Sequence, residues 1–336
     1  MPTYGKKTVA FSKNAINLFF HLLTGCNLKC RHCYINPRQH GENTLPIATI
    51  RQWLELFSRR NDSANVIFLG GEPTLHPDLP EAVRHARSLG YQSVTVDTNG
   101  FLFHDILNKV TPAEVDFFSF SLDGVSPAVN DALRGKGTWQ RCIQGIREAV
   151  VKGFATSLIY TVSSANIHEL PGMPDLLKSF GIRRFFIQVI GIRGKSVDEK
   201  ATVTQLTRED WMGVVPKTAE AAARLGIHTI YPKVFLNPDE TFECAGNVAE
   251  NYFVFPNGRV YRCPLCEDYP LHSLQIQEGA LFETGKINEK DLFSLSIPEG
   301  CVMNKLIQPE NITYDTMGRP LHPIACCLLK EEVRPF

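Results

Sequence analysis

The 336-residue sequence has no net charge to speak of: 35 lysines and arginines balance 35 aspartates and glutamates. Such a balance leaves no overall basic footprint, so no nucleic-acid partner is expected. Long apolar runs are also missing. INLFFHLL at 16–23 is far shorter than the ~20 residues a membrane-spanning helix needs, so no membrane partner is expected. The N-terminal MPTYGKKTVAFSKN lacks the apolar core of a secretion signal, which reads as a cytoplasmic protein. No internal repeat and no low-complexity tract appear. What is abundant is cysteine. Ten of them, in a chain of this kind, point to metal or redox chemistry rather than a disulfide framework.

Six β-branched or aromatic stretches read as strands, at 17–23, 66–69, 92–97, 115–121, 154–162 and 184–190. Helical patterns at about 47–59, 79–89, 101–109, 138–152 and 167–180 separate them, and another at about 207–225 closes the region. The strands are apolar on both faces, as parallel strands between helices are. Consecutive βα units of this type predict an α/β fold, either a barrel or a doubly wound sheet. After about residue 235 the texture changes to short segments punctuated by Pro, Gly and Cys. The expected division is therefore a core domain at 1–235 and a smaller cysteine-rich domain at 236–336.

Directly after the first strand comes HLLTGCNLKCRHCYINP, residues 21–37, with Cys26, Cys30 and Cys33 spaced C-x3-C-x2-C. On a helix the outer two thiols would lie ~10 Å apart along the axis, too far for a compact centre. Gly25, Asn27 and Pro37 favour a loop that wraps instead. Structural zinc takes four closed ligands, whereas three thiols leave one iron of a four-iron cluster without a protein ligand.

With the cysteines goes a second motif, GGEP at 70–73, just after the second strand. The two together resemble the radical S-adenosylmethionine (SAM) enzymes over about residues 17–235. An aromatic residue usually precedes the third cysteine of that signature; here His32 stands there and Tyr34 follows. The resemblance implies a partial (β/α)6 TIM-type barrel, its cluster loop at the C-terminal mouth of the strands. It also implies that Cys26, Cys30 and Cys33 bind a 4Fe–4S cluster whose fourth iron takes the amino and carboxylate groups of SAM. Reductive cleavage of SAM would then release a 5′-deoxyadenosyl radical that abstracts a hydrogen atom from substrate. Gly70, Gly71, Glu72 and Pro73 would form the turn at the methionine amino group. DTNG at 97–100 and SFSLDG at 119–124 end the next two strands, and the resemblance places Ser121, Asp123, Arg134, Tyr34 and Gln188 around SAM. Asp123-Gly124 reads equally well as a simple turn.

The C-terminal region holds Cys244, Cys263, Cys266, Cys301, Cys326 and Cys327. CAGNVAENYFVFPNGRVYRC reads C-x13-G-x4-C, with Asn257-Gly258 as a hairpin turn. The pattern resembles the auxiliary-cluster extensions called SPASM and twitch domains, but the downstream C-x2-C-x5-C-x3-C block is absent. The resemblance implies one auxiliary iron–sulfur cluster held by Cys244, Cys263, Cys266 and one of Cys326 or Cys327. Zinc is the alternative, since C-x2-C suits it too. Cys301 is left open between ligand and bystander. Cys142 reads as a buried small hydrophobe, and His21, His76 and His168 as structural.

Relatives with such extensions modify peptide or protein side chains, or small metabolites and cofactor precursors. With about sixteen residues before the first strand, an N-terminal leader-binding domain has no room. A peptide or protein side chain ranks just ahead of a small metabolite as the expected substrate, with a ferredoxin or flavodoxin as electron donor. The rival class is an iron–sulfur or zinc redox sensor without SAM turnover.

Overall fold

The computed structural model describes residues 4–9, 11, 13–60, 63–197, 204–285, 287–309 and 312–336. After β1 (Tyr4–Val9), the chain lays down β2 (Ile16–His21), β3 (Ala64–Leu69), β4 (Ser93–Thr98), β5 (Phe117–Ser121), β6 (Thr156–Val162), β7 (Arg184–Val189) and β8 (His228–Pro232). Each of β2 to β7 pairs in parallel with the next. The six expected strands are β2 to β7; β8 adds a seventh to the parallel run.

Alternation along the strands separates the two faces of the sheet. Leu18, Phe20, Val66, Phe68, Val94, Val96, Phe118, Phe120, Leu158 and Tyr160 are fully or almost fully buried in the main core. Helices Ile47–Ser58, Leu79–Ser88, Thr138–Val151 and Arg208–Arg224 contribute the other half of that core. The opposite parity turns Asn17, Asn65, Asp97, Ser119 and Gln188 to the inner face. Asn65 donates to Asn17 at 3.2 Å across that face, and Asn17 to Asn251 at 3.0 Å.

The region after 235 extends this sheet at both margins. β9 (Glu250–Val254) lies parallel to β2 on its free side, followed antiparallel by β10 (Arg259–Tyr261), β11 (Leu274–Gln277) and β12 (Ala280–Glu283). β13 (Lys330–Pro335) returns to the other margin and inserts, antiparallel to both, between β8 and β1. From edge to edge the order is β1-β13-β8-β7-β6-β5-β4-β3-β2-β9-β10-β11-β12. The protein is thus a mixed α/β partial barrel with a cysteine-bearing C-terminal region. Among the described residues no helix is long and apolar enough to cross a membrane.

Candidate functional site

The cysteine loop leaves the C-terminal end of β2 and is laced to its neighbours. Gly71 N–H donates to Leu23 O at 2.9 Å and Glu72 N–H to Gly25 O at 3.0 Å. A Cβ on Gly71 would lie 2.1 Å from Gly25 O, and one on Gly70 2.7 Å from Leu23 O. Only glycine lets the GGEP turn close on the cysteine loop. From the other side, Arg31 N–H donates to Leu133 O and Lys195 N–H to Cys33 O, each at 2.9 Å. Cys26 is exposed while Cys30 and Cys33 are half-buried, and residues 22–36 form no helix. Three thiols on a loop with one edge open to solvent suit a centre that keeps a position for a small molecule. Desolvation pushes the Cys26 thiol up to about 12 and also raises Cys30, where Arg134 opposes it. Such thiols stay protonated until a metal displaces the proton.

Glu72 is buried, and its carboxylate accepts from Thr74 N–H (3.1 Å), Thr74 Oγ1 (2.6 Å), Thr98 Oγ1 (2.8 Å) and Asn99 N–H (2.7 Å). Its role in the structure is to tie GGEP to the end of β4. Pro73, also buried, begins the single turn Pro73–Leu75. At the end of β4, Asn99 Nδ2 donates to Asn27 Oδ1 at 2.8 Å and lies 3.8 Å from Cys26 Sγ. The sequence signal for Asn99 is its place in DTNG, at the end of β4 beside the cysteine loop. Asp97 lies two residues earlier in β4, on the inner face. Desolvation raises its carboxyl to about 7 against a hydrogen bond from Ser119, with Glu72 adding repulsion.

Asp123 and Arg134 meet each other rather than an open cradle. Asp123 is fully buried, with Oδ2 accepting from Arg134 Nε at 2.5 Å and lying 3.1 Å from His32 Nε2, while Oδ1 accepts from Thr161 N–H at 2.8 Å. Burial alone would raise this carboxyl, but Arg134 and His32 hold it well below the usual range. The cluster clamps the cysteine loop, through His32, to the ends of β5 and β6. Ser121 is half-buried at the end of β5, and Gln188 is exposed near the end of β7, on the inner face. Tyr34 turns inward: its hydroxyl lies 2.6 Å from His21 Nε2, and His21 Nδ1 donates to Val254 O at 2.9 Å. His21 is thereby a buried neutral brace, pushed down to about 3 by desolvation. His76 donates to Leu45 O at 2.8 Å and is likewise structural. Cys142 is buried in the helix Thr138–Val151.

The C-terminal thiols converge elsewhere. The β9–β10 hairpin turns at Gly258, whose φ is +80° and whose N–H donates to Phe255 O at 2.9 Å. Cys244, Cys263, Cys301, Cys326 and Cys327 line one apolar cavity with Phe242, Leu265, Phe293 and Met303, and Cys266 is buried in the same apolar cluster. Cys301, left open by sequence, therefore belongs with this set. The fully buried Glu289 carboxylate holds the hairpin exit, accepting from Arg262 N–H at 2.7 Å, Cys263 N–H at 3.1 Å and Ser273 Oγ at 2.6 Å. Among the described residues no three His, Cys, Asp or Glu side chains converge tightly enough for a single metal ion.

Residues 21–177 match the family model described as the Radical SAM superfamily. Fe-coproporphyrin III synthase of Methanosarcina barkeri is 32% identical over 186 residues, 54% of this chain and 46% of that protein. A probable GTP 3′,8-cyclase of Saccharolobus solfataricus is 30% identical over 178 residues, 53% of this chain and 58% of the relative. Pre-heme d1 synthase of Dinoroseobacter shibae is 30% identical over 53% of this chain and 44% of its own. The chain thus spans about half the length of the curated relatives it matches. Among solved structures, Streptococcus suis SuiB bound to precursor peptide SuiA superposes with a TM-score of 0.63 at 16% identity, covering 84% of this chain and 65% of that one. Native anSMEcpe with bound AdoMet gives 0.58 at 16% identity over 87% and 83%. At that identity the likeness is one of fold. Residues 21–177 thus carry a region that matches the radical SAM superfamily, set on this barrel with its three-thiol loop.

Proposed function

We propose that the protein cleaves SAM reductively at a 4Fe–4S cluster held by Cys26, Cys30 and Cys33, and uses the product radical on a peptide or protein side chain. The observation that carries this reading is the lacing of the C-x3-C-x2-C loop to GGEP, with Gly71 and Glu72 N–H groups bonded to Leu23 and Gly25 carbonyls. When bound, the cluster supplies the electron that turns SAM into methionine and a hydrogen-abstracting 5′-deoxyadenosyl radical. The chain's own residues aim and shield that chemistry. Gly70 and Gly71 give SAM a backbone turn beside the thiols, Ser121 and Gln188 offer polar groups at the ends of β5 and β7, and Tyr34 braces the loop through His21. Glu72, Asp123 and Arg134 act behind them as struts. Residues 236–336 form the second domain and hold one auxiliary cluster through Cys244, Cys263, Cys266 and Cys326 or Cys327. The electron donor is of the ferredoxin or flavodoxin class.

The peptide substrate is supported by fold likeness to SuiB with its precursor peptide. A small metabolite is the second reading, favoured by the sequence relatives, an Fe-coproporphyrin III synthase, a probable GTP 3′,8-cyclase and a pre-heme d1 synthase. The test is anaerobic reconstitution with iron and sulfide, then dithionite and SAM. Formation of 5′-deoxyadenosine supports SAM cleavage; its absence from fully loaded protein would return the chain to the class of redox sensors. Changing Cys26, Cys30 and Cys33 together to Ala should leave ~4 irons per chain. One zinc and no iron in that variant would remove the auxiliary cluster from the proposal.

A further inference from the structure

Arg193 stands between the two sets of cysteines. It follows β7, and its side chain is only 16% exposed. The guanidinium lies over the Tyr34 ring, 4.8 Å from the centroid, and Tyr34 is covalently next to Cys33. The same guanidinium donates to Pro264 O and to the Glu267 carboxylate, the immediate neighbours of Cys263 and Cys266. Its own loop also grips the first site. Lys195 N–H donates to Cys33 O at 2.9 Å, and a Cβ on Gly194 would lie 2.5 Å from that same oxygen.

Stacked rings pack the surroundings, and the Glu267 carboxylate faces the guanidinium, with Glu289 and Asp268 adding negative charge around Glu267. His21 stacks on Phe255 at 4.0 Å and 13°, and Phe255 on His40 at 3.9 Å and 8°. His40 Nε2 faces Glu267 O at 2.9 Å; a carbonyl can only accept, so that nitrogen carries the proton. Burial pushes His40 down to about 4 and His21 to about 3, so neither ring adds charge. One apolar cluster encloses Cys33, Tyr34, Phe255, Leu265, Cys266 and Cys301.

We propose that Arg193 is a positioning residue shared by both cysteine sites, and that its guanidinium raises the reduction potential of the cluster bound at each. The inference rests on the reading that both sites hold iron–sulfur clusters. One-electron reduction of either cluster, by dithionite in the test below, adds one negative charge near the same buried cation. Away from water that attraction is weakly screened, and outer-shell charge and hydrogen bonding are established levers on cluster potential.

The experiment is a redox titration of reconstituted holoprotein followed by electron paramagnetic resonance, after iron counting. Arg193→Met should lower both midpoints by a tenfold or larger shift in the reduction equilibrium, ~59 mV for a one-electron couple. Arg193→Lys keeps the charge and should stay near the wild type at both sites. Glu267→Gln removes the opposing charge and should raise both midpoints, which keeps the test open even where Arg193→Met loses its clusters. The inference is overturned when Arg193→Met leaves either midpoint in place, when Lys falls as far as Met, or when Glu267→Gln lowers the midpoints. A wild type carrying a single cluster would instead remove the reading of the second site, and the iron count reveals that before any potential is measured.

Discussion

Asp123→Asn separates a strut from a ligand. Asp123 is fully buried and receives Arg134 Nε at 2.5 Å, His32 Nε2 at 3.1 Å and Thr161 N–H at 2.8 Å. Asparagine preserves the shape and can still accept from Thr161, but it leaves the Arg134 guanidinium, 9% exposed, without its counter-charge. Removing one partner of a buried pair costs about 3–5 kcal/mol. Arg134 keeps slight solvent access, so the lower end applies, about 3 kcal/mol, or more than 100-fold in the folding equilibrium. The pH dependence has a definite sign. Asp123 is held below its ordinary range, so its contribution is present above an unfolded value of ~3.9 and lost as pH falls through the lower folded value. The gap between wild type and variant should therefore be flat from about pH 5 to 8 and close only in stronger acid. Urea unfolding of reduced apoprotein under anaerobic conditions measures it. A variant within ~0.5 kcal/mol of wild type at pH 7, with weakened SAM binding instead, would refute the strut and restore Asp123 as a SAM contact.

Gly71→Ala should displace the cysteine loop, since its Cβ would sit 2.1 Å from Gly25 O. The expected result is about 1–3 kcal/mol of destabilisation in urea and loss of the resonance signal from the Cys26 site. Tyr34→Phe removes the hydroxyl 2.6 Å from buried His21 Nε2, and should cost about 1–3 kcal/mol by thermal unfolding. Burial raises the Glu289 carboxyl to about 7, so its stabilising contribution is full below an unfolded value of ~4.3 and falls as pH rises through about 7. The stability advantage of wild type over Glu289→Gln should be larger at about pH 4 than at pH 8, read from urea curves at both.

The parallel run was legible because its strands are aromatic or β-branched stretches bounded by turns, as in β3 and β5. Charge concealed the margins. β1 reads YGKKTV and β13 KEEVRP, and their side chains pair laterally, with Thr8 donating to Glu331 at 2.9 Å and Lys7 lying 3.1 Å from Glu332. Partnered polar strands of this sort carry no apolar period to detect. β8 is short and ends in Pro232, which hid it as well. The helix expected at 101–109 shrinks to Ile106–Lys109 because Leu102, His104 and Asp105 adopt positive φ. At the site, motif spacing placed the thiols and glycines in sequence, but not the inward direction of each carboxylate. Glu72 and Asp123 look available in the sequence, and only the folded chain brings Thr98, Asn99, Arg134 and His32 onto them.

The two margins of the sheet also set an order of assembly. Asn17 meets Asn251 across 234 positions of chain, and Thr8 meets Glu331 across 323. Contacts so distant form slowly, because the chain must close a long loop before any bond rewards it. β2 to β7 each pair with the next strand on the chain and require no such search. The barrel with its Cys26 loop therefore matures ahead of the C-terminal cavity, whose thiols remain unpaired in the interval. Oxygen reaching the nascent protein then would convert those thiols to sulfenic acids and disulfides. Anaerobic synthesis, rather than anaerobic repair afterwards, is what keeps the C-terminal thiols reduced.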